Sequence, residues 1–348
     1  VVMGHHLWME GNSGHINVVE QLKALNPDLK IVGYVSGKSA HMSGPSYHPE
    51  SYWYKWWFRT APFFMETTEG DTASDWPNSR LINILEPACR QAQIETIVEM
   101  QTGSLNVFDG IFWDYWNNSL WIPAFMDVQG DIDMDGDGVA HYLDQDEMQA
   151  YRDAQELLVQ GVRDELGEDF IQIFNGQRAY GDSTFAAMAD GAWYELFPTL
   201  FFPDPDMAHA LDPDYEFSLM NVRPWFRTGN GGPFIMLGNS WVNRYHDHND
   251  VITEMNLGNV YRAVALVTDV YSIWNQPNKY AYSWTDNDIS LGLPLGPPVF
   301  EGDFIRRDFE YGKIEIEMTL GFYPNAFSYR IWCLGQLVEE LSIPFHYP

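Results

Sequence analysis

The sequence predicts an α/β fold of the (β/α)₈, or TIM-barrel, type on three observations. Short apolar runs alternate with helical stretches as far as Trp274, eight candidate strands can be counted, and no glycine-rich phosphate loop follows the first of them. An open doubly wound sheet shares the alternation, but eight units suit closure better.

In chain order the candidate strands are VVMGHHLW from Val1, KIVGYVSG from Lys30, RLINIL from Arg80, FDGIFWDYW from Phe108, DFIQIFNG from Asp169, GAWYELFP from Gly191, PFIMLGNSW from Pro233 and VYSIWN from Val270. Each is rich in β-branched and aromatic residues. A helix is expected around Val18 to Leu25. The stretches EPACRQAQIETIVEM, from Glu86, and DEMQAYRDAQELLVQGVRDELG, from Asp146, repeat apolar residues at spacings of three and four, as amphipathic helices do. Between the second and third strands, residues 41–71 form a long aromatic insertion on the side where barrel sites are built, a candidate lid or cleft wall. The barrel is therefore expected over residues 1–279. A β-rich extension follows over 280–318, ending in the hairpin FIRRDFEYGKIEIEM, and then a tail, 319–348, that packs on it.

The length of 348 residues accommodates one barrel, which takes about 250 residues, with extensions. A formal charge of −30, with only six Lys among 19 basic residues, excludes a nucleic-acid backbone as partner, because counterion release needs a basic footprint. The acidity fits a secreted protein, a high-salt habitat, a cationic substrate or simple solubility. There is no apolar run long enough for a membrane span. Cys89 and Cys333 either form one disulfide or remain thiols. The chain opens at Val1 inside a candidate strand, so a mature or excised form is expected, with any signal peptide outside the sequence and a secreted or cell-surface setting. The 14 Trp exceed what a core of this size needs, and sugar-binding clefts stack pyranose faces on such rings.

In a barrel the C-terminal strand ends line the active site, and side chains alternate between interior and helix layer. Gly110, Phe112 and Asp114 share one face of the fourth strand, and Asp109, Ile111 and Trp113 the other. With the first face inward, Asp114 projects into the mouth and Asp109 turns away. The sixth strand repeats the arrangement with Gly191, Trp193 and Glu195. Two carboxylates facing one cleft are what glycoside hydrolysis requires, although either could instead pair with arginine or cap a helix. Around them Tyr34, Trp113, Trp116, Asn175, Asn239, Trp241 and Trp274 are candidate substrate contacts, since they fall at or next to strand ends.

The segment DMDGDGVAHYLD places Asp133, Asp135 and Asp137 at positions one, three and five of a twelve-residue loop. Gly138 falls at six, the Val139 carbonyl at seven, His141 at nine and Asp144 at twelve, the ligand spacing of a structural Ca²⁺ site of the EF-hand kind. The last position departs from the usual bidentate Glu, and Asp146 or Glu147 could stand in. An acidic solvated loop without metal is the alternative. His246 and His248, in YHDHND, are too unspecific to imply a transition metal and read as a surface loop.

Two motifs carry a resemblance. Phe108, Asp109, Gly110 and the following apolar pair lead to Asp114, and Arg307, Phe309, Gly312 and Ile314 form the pattern R-x-F-x-x-G-x-apolar. With Asn175-Gly176 and Glu195, these resemble the hypothetical glycoside hydrolase family 15 over residues 1–318, and more distantly family 114, the α-galactosaminidase group. The resemblance implies a catalytic barrel with Asp114 as nucleophile or base and Glu195 as general acid. The aromatic cleft and the two strand-end carboxylates motivate an extracellular hydrolase acting on a polysaccharide; a cationic amino-sugar polymer would suit the charge, and neutral glycans are equally open. Glu317-Met318 replaces the family's usual Asn-Pro at the hairpin end, and neither the aromatic insertion nor the calcium loop maps onto the family. A barrel that binds glycan, or builds an extracellular assembly, without turning anything over is the alternative.

Overall fold

A computed structural model describes residues 2–3, 13–67, 70–103, 108–120, 132–194, 235–240, 263–267, 270–274, 291–301, 304–318 and 326–344. Two compact units divide the chain, Val1–Gly191 with Phe226–Pro233, and Ala192–Trp225 with Phe234–Pro348. The division cuts the expected barrel at residue 191 and not at 279.

The first unit is α/β. Strands β1 (Val2–Met3) and β2 (Val32–Ser36) run parallel and flank helix α1 (Ser13–Leu25), which starts five residues before the expected Val18. After β2 the chain turns through Gly37 and Lys38 into β3 (Ser39–His41), and β4 (Ser79–Leu81) pairs with β3 antiparallel. Helix α2 (Tyr52–Thr60) lies within the aromatic insertion and is capped by Ser51, whose hydroxyl accepts from the Tyr54 amide. Helix α3 (Pro87–Thr102) has proline in its first turn, where the missing N–H costs nothing. Strand β5 (Gly110–Asp114) lies parallel between β2 and β6 (Ile171–Asn175). Helix α4 (Gln145–Leu166) is capped by Asp144 and ends at Gly167, whose φ of 90° suits glycine alone. Short helices α5 (Gln177–Gly181) and α6 (Ser183–Ala186) follow, and β7 (Gly191–Tyr194) begins at the division between units.

The expected third barrel strand, from Arg80, is a correction. Only Ser79–Leu81 is extended, in the two-stranded ribbon with β3, and β2 pairs directly with β5. Leu81 and Ile84 are buried in a cluster with Met65, Ala73, Leu120, Ile132, Met134, Tyr151 and Ala154. The apolarity of RLINIL thus answers to the insertion and α4.

In the second unit β8 (Ile235–Ser240) and β9 (Val270–Trp274) pair in parallel. A five-stranded antiparallel sheet runs β10 (Val299–Glu301), β11 (Phe304–Phe309), β12 (Gly312–Met318), β13 (Ala326–Cys333) and β14 (Gln336–Pro344). The expected boundary at 318 falls inside this sheet, because 326–344 form its last two strands. Tyr329 and Ile331 are buried while Arg330 is exposed, and Leu334 and Gly335 both have positive φ, a pair of values suited to a tight hairpin turn. Arg307 is buried here, and its guanidinium donates to the carbonyls of Leu266, at 3.3 Å, and Val267, at 2.9 Å, in the helical stretch 263–267. Arg307→Met should therefore cost about 1.5–3 kcal/mol, read as a lower urea midpoint. Both cysteines are free thiols, and burial pushes Cys89 up to about 12.

Candidate active site

Three neighbouring parallel strands of the first unit, β2, β5 and β6, bring Asp114 and Asn175 to the C-terminal ends of β5 and β6, where open and closed α/β folds alike build their sites, while Tyr34 sits mid-strand in β2, opposite Phe112 and two residues short of the strand end expected for it. Asp114 is 7% exposed. Its Oδ2 accepts from the Tyr34 hydroxyl at 2.6 Å, and its Oδ1 accepts from Asn175 Nδ2 at 2.8 Å and the Tyr115 amide at 3.0 Å. Three donors converging on one carboxylate fit it as an oriented anion. Burial, followed by the charge of Asp114, pushes Tyr34 well above its ordinary pKa and keeps its hydroxyl protonated as a donor. Tyr34 and Phe112 are cross-strand neighbours, their rings tilted by 31° with centroids 5.9 Å apart.

Beside this carboxylate lies a cavity of about 320 Å³, lined by Tyr34, Ser36, Ser39, His41, Trp53, Trp76, Pro77, Ser79 and Tyr115. That volume is at the lower end of the ~300–1,000 Å³ range of small-molecule sites. The β3–β4 ribbon and the chain between its two strands supply most of the wall. Ser36 and Ser39 share a hydrogen bond at 2.9 Å, and the rings of Trp76 and Tyr115 are 6.2 Å apart. Gly37 is required in the β2–β3 turn, since a Cβ there would fall 2.0 Å from the Trp116 ring. Apart from Tyr34, none of these is a residue singled out from the sequence, although His41 and Trp53 fall in the segment 41–71 expected as a lid or cleft wall.

Trp113 and Trp116 are corrections to the expected sugar contacts. They are 0% and 1% exposed, 4.8 Å apart, and packed with Phe174, and Trp113 Nε1 donates to Gln172 Oε1 at 3.0 Å. Trp113 follows the strand alternation away from Asp114. Asp109 is a structural carboxylate, accepting from the Ile31 amide at 2.9 Å and pairing with Lys23 at 3.0 Å. Asn239 and Trp274 lie on β8 and β9, opposite Ile273 and Ser240 respectively. Glu195, Trp241, His246 and His248 lie outside the described residues.

In the acidic loop, carboxylate oxygens of Asp133, Asp135 and Glu147 come within 4.8 Å of one another, as do those of Asp135, Asp137 and Asp144. Asp133 accepts from the amides of Gly136 and Gly138, and Asp137 from that of Val139. Gly136 and Gly138 have φ of 79° and 88°. His141, expected at position nine, is buried: Nε2 accepts from the Leu120 amide at 2.9 Å and Nδ1 meets Glu147 at 2.6 Å. Burial pushes its pKa down to about 4, consistent with the neutral ring these contacts need.

A model of the family described as hypothetical glycosyl hydrolase family 15 matches residues 23–313, a span that includes Tyr34, Asp114, Asn175 and the acidic loop. No curated protein sequence matches. Among solved structures, a family 36 α-galactosidase from Geobacillus stearothermophilus is 7% identical at a TM-score of 0.49, covering 95% of this chain and 45% of its own. A maltogenic α-amylase from Thermotoga neapolitana is 12% identical at 0.41, covering 94% of this chain and 71% of its own. Ega3 from Aspergillus fumigatus, in complex with galactosamine, is 11% identical at 0.31, covering 78% and 71%. The chain spans about half the length of the α-galactosidase.

Proposed function

The chain belongs to hypothetical glycosyl hydrolase family 15, and from that premise we propose that it cleaves glycosidic bonds of an extracellular polysaccharide on a closed (β/α)₈ barrel, with Asp114 as one of its two catalytic carboxylates. The observation that carries the reading is the three-donor cradle around Asp114 at the end of β5, beside an aromatic and hydroxyl-lined cavity. Glu195 is the partner: it protonates the departing glycosidic oxygen, while Asp114 attacks the anomeric carbon or takes a proton from water. Asn239, Trp241 and Trp274 extend the contacts to the glycan. A charge of −30 draws cationic chains towards the protein, which makes amino-sugar polymers one arm of the test beside neutral glycans.

The test is a panel of neutral, amino-sugar and uronic polysaccharides assayed for new reducing ends, with Asp114→Asn as control. Turnover by the wild type alone supports the reading. Binding without new ends in either protein would make the chain a glycan-binding module.

The acidic loop is proposed to hold one structural Ca²⁺. Its donors are hard oxygens, as calcium requires: the carboxylates of Asp133, Asp135, Asp137 and Asp144 and the Val139 carbonyl, with Glu147 beside them. The ion would order the segment between β5 and α4. At a free concentration of 100 times Kd such an ion stabilises by about 2.7 kcal/mol, so a chelator should lower the melting temperature by several degrees. Asp133→Asn with Asp135→Asn should abolish that response, and a chelator without effect on the wild type would count against the ion.

A further inference from the structure

Lys38, in the β2–β3 turn, carries a charge that the reaction as described does not use. It is 1% exposed, its Nζ pairs with fully buried Asp75 at 3.5 Å, and the same Nζ lies 4.2 Å from the centroid of the Tyr115 ring. Asp75 is itself fixed, accepting from the Ser79 hydroxyl. A buried pair of this kind costs desolvation that two well-packed apolar groups would avoid, so it is weak evidence of a stabilising role and invites a functional one. Burial pushes Lys38 down from its ordinary value, opposed by the charges of Asp75 and Asp114.

Tyr115 is the residue on which these contacts act. It follows Asp114 directly, has a φ of 60°, lines the cavity, and its amide donates to Asp114 Oδ1 at 3.0 Å. A bulky residue in the left-handed region is strained and persists only where its surroundings hold it. The Lys38 ammonium lies 4.2 Å from the ring centroid and bears on the ring, while the backbone is also held by the Asn117 amide, which donates to the Tyr115 carbonyl at 3.1 Å, and by the Trp116 amide, which donates to the Asn175 carbonyl at 2.7 Å. Relaxation of that backbone by rotation of the Asp114–Tyr115 peptide plane would turn the amide away from Asp114 and move the Tyr115 ring in the cavity wall.

Resting on the reading of Asp114 as a catalytic carboxylate, we infer that Lys38, anchored by Asp75, is a positioning residue that acts through Tyr115, clamping its ring so that its strained backbone keeps Asp114 and the cavity wall in register. Lys38→Met alone would leave Asp75 buried and unpaired and could fail to fold, so the informative variant is Lys38→Met with Asp75→Asn, which removes both charges. It should melt within a few degrees of the wild type and lose kcat at least tenfold on the glycan that the wild type cleaves. In a Tyr115→Gly background, where glycine adopts the left-handed region freely and no ring remains to clamp, the same pair of changes should cost less than twofold in kcat.

Retention of wild-type kcat by the paired variant, or an undiminished loss in the Tyr115→Gly background, would overturn the inference. A crystal structure of the paired variant decides independently of substrate. Tyr115 leaving its positive φ and its amide leaving Asp114 support the clamp; an unmoved Tyr115 refutes it. A wild type inactive on every glycan would sink the hydrolase reading while leaving that structural arm to decide the clamp.

Discussion

Asp114→Asn is expected to lower glycan turnover by about 10²–10⁴-fold while leaving the melting temperature close to that of the wild type. The substituted side chain has the same shape and can keep most of the cradle. Its oxygen can face the two donors that meet Oδ1, the Asn175 amide and the Tyr115 backbone N–H. Its new NH₂ then faces the Tyr34 hydroxyl, which can accept as readily as it donates. The stability change is therefore that of one rearranged hydrogen bond, about 1 kcal/mol. What is lost is the negative charge and the lone pair that attack or deprotonate. Reducing-end release and thermal unfolding measured on the same preparation check both halves. Turnover at the wild-type level would remove Asp114 from the mechanism, and an unfolded variant would mean that the cradle depends on the charge itself.

Strand alternation made much of this legible from the sequence. The period of two along Gly110–Asp114 separates Asp114 from Asp109, and the structure gives those two carboxylates different partners, Tyr34 and Asn175 for one, Lys23 and the Ile31 amide for the other. Trp113 and Trp116 were misread because an aromatic residue near a strand end looks the same whether its ring faces a cleft or the helix layer. Parity alone already turned Trp113 away. Gln172 on the adjacent strand, supplying an acceptor for a buried indole N–H, could not be paired with it without the register. The cavity wall was legible as a segment and not residue by residue. Trp53 falls in the insertion 41–71, a candidate lid or cleft wall, but Trp76 follows that insertion, and the antiparallel pairing of Ser39–His41 with Ser79–Leu81 that brings both near β2 spans about 40 residues. The last two strands of the antiparallel sheet had a local signal, the Leu334-Gly335 turn between alternating segments, which the partly apolar tail obscured.

Trp113→Ala is expected to cost about 3–5 kcal/mol of stability, the larger of two contrasting tryptophan effects. The ring is fully buried, stacked within 7° of the plane of Phe174 at a centroid distance of 6.4 Å, and in contact with Trp116. Alanine would leave a void among rings that cannot collapse into it, and Gln172 Oε1 would lose its indole donor. Trp76→Ala should behave in the opposite way. Its ring is half-buried and stands at the cavity beside Tyr115. Removing it should leave the unfolding midpoint almost unchanged while taking away one stacking surface for a sugar ring, worth about 1 kcal/mol, or a KM several-fold higher. Urea titration and initial-rate kinetics on both variants separate core from cleft. If Trp113→Ala were to raise KM without lowering the urea midpoint, the indole would face the substrate, and the assignment of the two faces of β5 would have to be reversed.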